Sequence, residues 1–202
     1  AMDGATVRLD PDGSVQISSG VTEQGQGTEA MLAQITASAV GVDVSRVRVT
    51  TGDTETTPYG GGTWASRGAG IGGEAALQAG TALREQILVI AGAMLQAPPE
   101  ALDVRAGVVV DRATGAARLP LEELGRIVYF RGDTLPKDLP RELVATRHWT
   151  PKDYPFCFTN GAQASYLEVD PDTGFVTLLG HWCVEDCGTV INPMLVDEQI
   201  RG

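Results

Sequence analysis

The chain has 202 residues, 43% of them hydrophobic and 20% charged, which is enough for one good core or two small subdomains. A formal net charge of -11 argues against duplex or single-stranded nucleic acid as a partner, although main-chain N–H groups can still hold a buried phosphate. The longest apolar run, residues 87–95, is too short to span a bilayer, and the 25 glycines cluster in loops without a repeat, so collagen-like and low-complexity chains are excluded.

In chain order, residues 6–10 and 14–18 alternate with period two around Asp12-Gly13 and read as a β-hairpin. Residues 29–40 place Met31, Leu32, Ile35, Ala39 and Val40 on one helix face, with Thr28 expected as N-cap and Gly41 as the stop. Residues 47–51 form a strand, so the opening unit is β-β-α-β, and residues 54–62 form a loop. Residues 69–95 read as a long buried helix rich in small side chains, in which Gly72, Gly73 and Gly80 are tolerated only where another backbone packs close.

Residues 98–102 start a short helix, and residues 102–105 and 108–111 are short strands followed by a turn at 113–115. Residues 120–127 form a brief helix with Pro120 in its first turn, and residues 130–140 a loop. Residues 143–149, 161–169 and 175–183 alternate like three antiparallel strands, the last two joined by a turn at 170–174, and a helix begins near Pro193. The expected class is α+β: the β-β-α-β unit, the long helix, then a mainly antiparallel sheet, divided into subdomains 1–97 and 98–202.

Three cysteines, Cys157, Cys183 and Cys187, are an odd count that describes no disulfide framework and favours a reducing compartment. Cys183 and Cys187 lie near His181 and Asp186 but lack metal-site spacing, and read as small hydrophobes at a strand end. His148 and His181 sit beside Trp149 and Trp182 in strand patterns, with no Gly-x-Ser-x-Gly elbow to make either a catalytic base. Glu122-Glu123, Glu185-Asp186 and Asp197-Glu198 fall on solvated faces or turns, so no catalytic residue and no metal ligand is assigned.

Two glycine-rich runs stand apart, residues 20–29 and 59–73, each preceding a helix. Glycine takes positive φ and lets a ligand approach the main chain, and a helix start offers unpaired N–H groups to phosphate. No Gly-Lys-Ser/Thr follows either run, and neither is a Gly-x-Gly-x-x-Gly turn within a βαβ unit, which removes the P-loop and Rossmann readings. The residues alone leave two readings open: a cradle for an anionic ligand with Gln26 and Ser66 as donors, or a purely architectural pair of turns.

Four ordered blocks resemble the molybdopterin-binding large subunit of the xanthine dehydrogenase/aldehyde oxidase family. They are Gly-Val-Thr-Glu-Gln-Gly-Gln-Gly-Thr-Glu at 20–29, Val-Arg-Val-Thr-Thr-Gly-Asp-Thr-Glu-Thr-Thr-Pro at 47–58, Gly-Thr-Trp-Ala-Ser-Arg-Gly-Ala at 62–69, and Asp-Cys-Gly-Thr-Val-Ile-Asn-Pro-Met-Leu-Val-Asp-Glu-Gln-Ile-Arg-Gly at 186–202. The resemblance covers nearly the whole chain and does not separate carbon monoxide, nicotinate, isoquinoline, aldehyde and purine enzymes.

It implies that Gly25, Gln26 and Gly27 hold the pyranopterin and its phosphate, that Ala65, Ser66 and Gly68 line the phosphate and dithiolene side, and that Gln199 hydrogen-bonds the pterin. Relatives often carry serine where Gly68 stands. It further implies molybdopterin with Mo, in its plain or cytosine dinucleotide form, a small-molecule aldehyde or N-heterocycle as substrate, Fe–S and FAD on partner subunits or domains, and a homo-oligomer; the acidic balance and the lack of a signal in this sequence favour the cytoplasm. The family's catalytic glutamate, in a Gly-x-Gly-Glu motif beyond the last glutamine, has no match before Gly202. The chain is therefore expected to be an internal portion of a subunit, inactive alone; the alternative is a stand-alone binding or assembly domain.

Overall fold

A computed structural model describes residues 2–152 and 158–202. The chain divides into two compact units, Ala1–Phe156 and Cys157–Gly202.

In the first unit, β1 (Asp3–Leu9) and β2 (Val15–Ser19) form the expected hairpin, with Gly13 at φ 76 closing the turn. The chain then enters α1 (Thr28–Val40) and returns as β3 (Val47–Thr51), which pairs in parallel with β2. β7 (Val144–Trp149) completes a four-stranded sheet of order β3-β2-β1-β7 by pairing antiparallel with β1. Alternation buries Ala5, Val7, Leu9, Val15 and Ile17. α1 packs on β2 and β3, and α2 (Glu74–Leu95) packs on β1, β7 and α1.

Four expectations are corrected. Thr28 is the first residue of α1; Gly27, at φ 83, occupies the cap position and offers no side chain. The helix expected over 69–95 opens as a π-helical turn, Gly68–Gly73, before α2 begins. Its glycines make room for side chains, not for another backbone: a Cβ on Gly72 would lie 2.7 Å from Val21 Cγ1, one on Gly73 2.9 Å from Ile35 Cδ1, and one on Gly80 2.7 Å from Ala39 Cβ. Pro120 ends an unforeseen strand, β6 (Ala117–Pro120), and caps α3 (Leu121–Phe130) instead of lying inside it.

The fourth correction concerns the last three strands, which do not form one sheet. β7 belongs to the first sheet, while among the described residues β8 (Asn160–Val169) and β9 (Val176–Asp186) form a two-stranded sheet of their own. Alternation reports which face of a strand is buried and carries no information about its partner.

β4 (Leu102–Arg105), β5 (Val108–Asp111) and β6 make a second antiparallel sheet. Its Leu102, Val104, Val109 and Leu119 share one core with Leu83 and Ile87 of α2 and Leu121, Leu124 and Val128 of α3. The second unit holds the β8–β9 hairpin and α4 (Pro193–Arg201), whose first turn is capped by Asn192 Oδ1 accepting from Met194 N and Leu195 N at 3.1 and 3.2 Å. The class is α+β, built from several small sheets.

Candidate functional site

The two glycine-rich loops leave the sheet side by side. The first follows β2 and the second follows β3, so both lie at the carboxyl ends of the parallel pair, where open α/β sheets receive ligands. They approach until only hydrogen atoms fit between them: a Cβ on Gly20 would lie 2.7 Å from Gly60 N and 3.1 Å from Pro58 O. Thr63 stitches them together, accepting from Thr22 N at 2.9 Å and donating to Thr22 O at 2.7 Å through its hydroxyl. Gln24 Nε2 adds a bond to Thr63 O at 3.2 Å.

Within the first loop, Gly25 and Gly27 take φ 96 and 83 and turn successive N–H groups inward. They converge on Glu23. Its carboxylate accepts from Gln24 N (3.2 Å), Gly25 N (2.8 Å), Gly27 N (3.1 Å) and Glu29 N (2.9 Å). Burial by itself raises the pKa of Glu23, but the four N–H groups outweigh it and hold the carboxyl below its ordinary value. At the start of α1, the cap N–H of Gly27 and the N–H of Glu29, which the sequence offered to a ligand phosphate, are thus engaged by a residue of the same loop. Sequence reasoning missed Glu23; the available signal was an acidic residue just ahead of a Gly-x-Gly turn into a helix.

Gln26 is half-buried, its amide spanning the loop. Nε2 donates to Thr22 O (3.3 Å) and Thr28 Oγ1 (2.7 Å), while Oε1 accepts from Gln24 N (2.7 Å). A Cβ on Gly68 would stand 3.9 Å from the same Thr28 hydroxyl, so the beginning of the π-helical turn borders the Gln26 amide.

The second loop carries consecutive left-handed residues without glycine's freedom, Ala65 at φ 51 and Ser66 at φ 56, both solvent-exposed. Arg67, which follows, is buried; its Nη2 donates to Met2 O at 2.7 Å and meets the Asp3 carboxylate. Asp3 Oδ1 accepts from Gly61 N at 3.0 Å, and the Arg67 guanidinium lies 5.4 Å from the Trp64 ring centroid. Burial pushes the Asp3 carboxyl up, and the Arg67 charge and the Gly61 N–H oppose that rise.

The structure therefore brings Gly25, Gln26, Gly27 and Gly68 to one place, with Ala65 and Ser66 on the loop joined to it through Thr63. Gln199 lies on α4 in the second unit, exposed to solvent. Among the described residues no group of three or more His, Cys, Asp and Glu side chains is placed to hold a metal ion, and no helix is long and apolar enough to cross a membrane. Cys183 and Cys187 form no disulfide, and Cys157 lies outside the described residues. His148 and His181 are exposed, the latter 2.9 Å from Ser165 Oγ through Nδ1. A groove of about 590 Å³ along α3, lined by Glu122, Glu123, Arg126 and Phe130 among others, adjoins the β1–β2 turn through Gly13 and Gly125, at the opposite end of the ladder from the loops.

A family model described as "Molybdopterin cofactor-binding domain" matches residues 1–202. The chain is 36% identical over 200 residues to the nicotine 6-hydroxylase large subunit of Paenarthrobacter nicotinovorans, covering 99% of this chain and 24% of that protein. It is 31% identical over 202 residues to the carbon monoxide dehydrogenase large chain of Afipia carboxidovorans, again 99% of this chain and 24% of the other. Among solved structures, quinoline 2-oxidoreductase from Pseudomonas putida 86 matches with a TM-score of 0.84 and 38% identity, over 99% of this chain and 25% of that one. The chain thus spans about a quarter of the length of these relatives.

Proposed function

Because the chain belongs to the molybdopterin cofactor-binding domain family, we propose that its paired loops hold the pterin of a molybdenum hydroxylase large subunit. The observation that carries this reading is the junction of the two loops at the carboxyl ends of β2 and β3, with Gln26 at its centre. The residues present fit such a group. A Cβ built on Gly25 or on Gly62 finds nothing within 4 Å, so main chain on both loops lies open to a ligand.

Gly25, Gln26 and Gly27 would border the pterin and Ala65, Ser66 and Gly68 would hold its phosphate; Gln199 is carried on the family resemblance alone as a further partner of the pterin. The bound molybdenum–pterin group supplies the redox chemistry; this chain's residues bind it, orient it and set its hydrogen bonding. The whole protein would hydroxylate a small molecule oxidatively and pass electrons to Fe–S and FAD partners in the cytoplasm. Relatives named for nicotine and quinoline favour an N-heterocycle over an aldehyde as substrate. Among the described residues none is assigned the role of catalytic base in this reading.

The test is to express the complete polypeptide containing this chain in a host that makes molybdopterin. Pterin released on denaturation is measured by fluorescence, and Mo by mass spectrometry. Near-stoichiometric pterin in the wild type, and a loss of tenfold or more in Gln26→Ala, is the expected outcome. Wild-type protein without pterin contradicts the reading.

A further inference from the structure

The Glu23 carboxylate has the environment usually prepared for a bound anion. Two oxygens receive four main-chain N–H groups, three on Oε1 and one on Oε2, at 2.8–3.2 Å. Each carboxylate oxygen offers two lone pairs, so Oε1 is fully engaged by its three donors and Oε2 keeps one lone pair beyond its bond from Glu29 N. The positive end of α1 adds attraction for the charge. The bonded amides belong to the residues flanking Gln26 on both sides, and Gln24 N is shared between Glu23 Oε1 (3.2 Å) and Gln26 Oε1 (2.7 Å). The backbone path that aims the Gln26 amide at Thr22 and Thr28 is therefore the path that wraps Glu23.

We propose that Glu23 is a positioning residue: a built-in anion that winds the first loop, fixes the Gln26 amide, and occupies the Gly25, Gly27 and Glu29 amides ahead of any outside anion. A ligand phosphate is then received by the open main chain of the second loop, around Gly62, Ala65, Ser66 and Gly68, while the first loop contributes Gln26. This deepens the cofactor reading above and rests on it for the identity of the ligand. The arrangement has a physical advantage over an empty nest. A tethered carboxylate is always present at its site, so the loop is shaped before any ligand arrives and the ordering cost is not charged against binding.

The experiment uses the 202-residue chain, isotopically labelled, and inorganic pyrophosphate as the probe. In the wild type, the amides of Gly25, Gly27 and Glu29 exchange with solvent at least tenfold more slowly than that of Gly62, the Gln26 side-chain NH₂ gives a dispersed, slowly exchanging pair of NMR signals, and millimolar pyrophosphate leaves these three amides unmoved. Glu23→Gln collapses the Gln26 pair toward the position of an exposed amide. Glu23→Ala binds pyrophosphate at the Gly25, Gly27 and Glu29 amides at least tenfold more tightly than the wild type. Glu29→Gln, which alters only the exposed partner of the Thr51 hydroxyl, leaves the Gln26 signals in place.

Wild-type pyrophosphate binding at those amides with the affinity of Glu23→Ala overturns the proposal, as does a Gln26 pair that Glu23→Gln does not move. If the Glu23 variants fail to fold, exchange of the Gly25 and Gly27 amides in the wild type decides: fast exchange refutes it. No readout involves the pterin, so pterin-free wild-type protein defeats the cofactor reading alone, and unmoved Gln26 signals defeat the role of Glu23 alone.

Discussion

Asp3 Oδ2 lies 2.5 Å from Arg67 Nη2, and the two side chains expose only 0% and 2% of their surface. One member begins β1 and the other lies within the second glycine-rich loop, so the ion pair fastens that loop to the sheet. The fastening is reinforced by Arg67 donating to Met2 O and Asp3 accepting from Gly61 N. Removing one partner strands the other charge in the interior. Arg67→Ala is therefore expected to cost about 3–5 kcal/mol in urea unfolding. Arg105→Ala, which breaks a 3.3 Å pair with Asp103 at a half-exposed side chain, should cost no more than about 1 kcal/mol.

Ala65 and Ser66 hold positive φ in succession, a conformation that disfavours any residue with a Cβ. Ala65→Gly and Ser66→Gly should relieve strain of roughly 1 kcal/mol each, offset in part by the greater freedom of glycine in the unfolded chain. Neither is expected to destabilise, which is the reverse of the usual outcome for an alanine-to-glycine change. The midpoint of thermal unfolding checks the sign.

Gly20 and Gly62 separate two reasons for glycine. Gly20→Ala drives a methyl group against the Gly60 backbone and is expected to cost about 1–3 kcal/mol while parting the loops, so limited proteolysis within residues 54–66 should accelerate. Gly62→Ala meets nothing within 4 Å and pays only for its φ of 74, roughly 1–2 kcal/mol, with no change in cleavage elsewhere in the loop.

Acidification should weaken the fold through the turn carboxylates. Asp12, Asp43 and Asp53 are held below their ordinary pKa of 3.8 first by a Ser or Thr hydroxyl and then by a main-chain N–H, and Asp111 and Asp170 first by main-chain N–H groups. A depressed folded-state pKa contributes stability that is complete above the unfolded value and lost as pH falls through the folded one. Asp3 has the opposite sign: its raised pKa means the fold takes up a proton before the unfolded chain does, so its contribution improves on acidification. With Glu23 and Asp103, also depressed against the opposing effect of burial, seven carboxyls stand against one and give a urea midpoint that falls as pH drops below about 4. In Asp3→Asn that fall should be steeper.

Local pattern made much of the fold legible. The β1–β2 hairpin follows from alternation around Asp12-Gly13, and α1 from apolar spacing that ends at Gly41, whose φ of 92 completes the C-cap. β6 was not legible, because within Ala117–Pro120 only Leu119 is buried and no alternation develops over four residues. The pairing of β7 with β1 depends on contacts between residues far apart in sequence, which no local period encodes. The same holds for the site. Gln26 and Ser66 stood out by their glycine neighbours, whereas Glu23 read as one more acidic residue until the loop was seen to close around it. The burial of Arg67 depends likewise on Asp3, 64 residues away in sequence, which no local pattern encodes.

The most direct measurement of the central claim is hydrogen exchange by mass spectrometry on pterin-loaded and pterin-free forms of the complete polypeptide. The expected result is that segments 20–28 and 60–68 gain protection together on loading, while the β1–β2 turn and α3 stay unchanged. Loading that leaves both loops exchanging as before, with protection confined to other segments, would contradict the assignment of these loops as the pterin cradle.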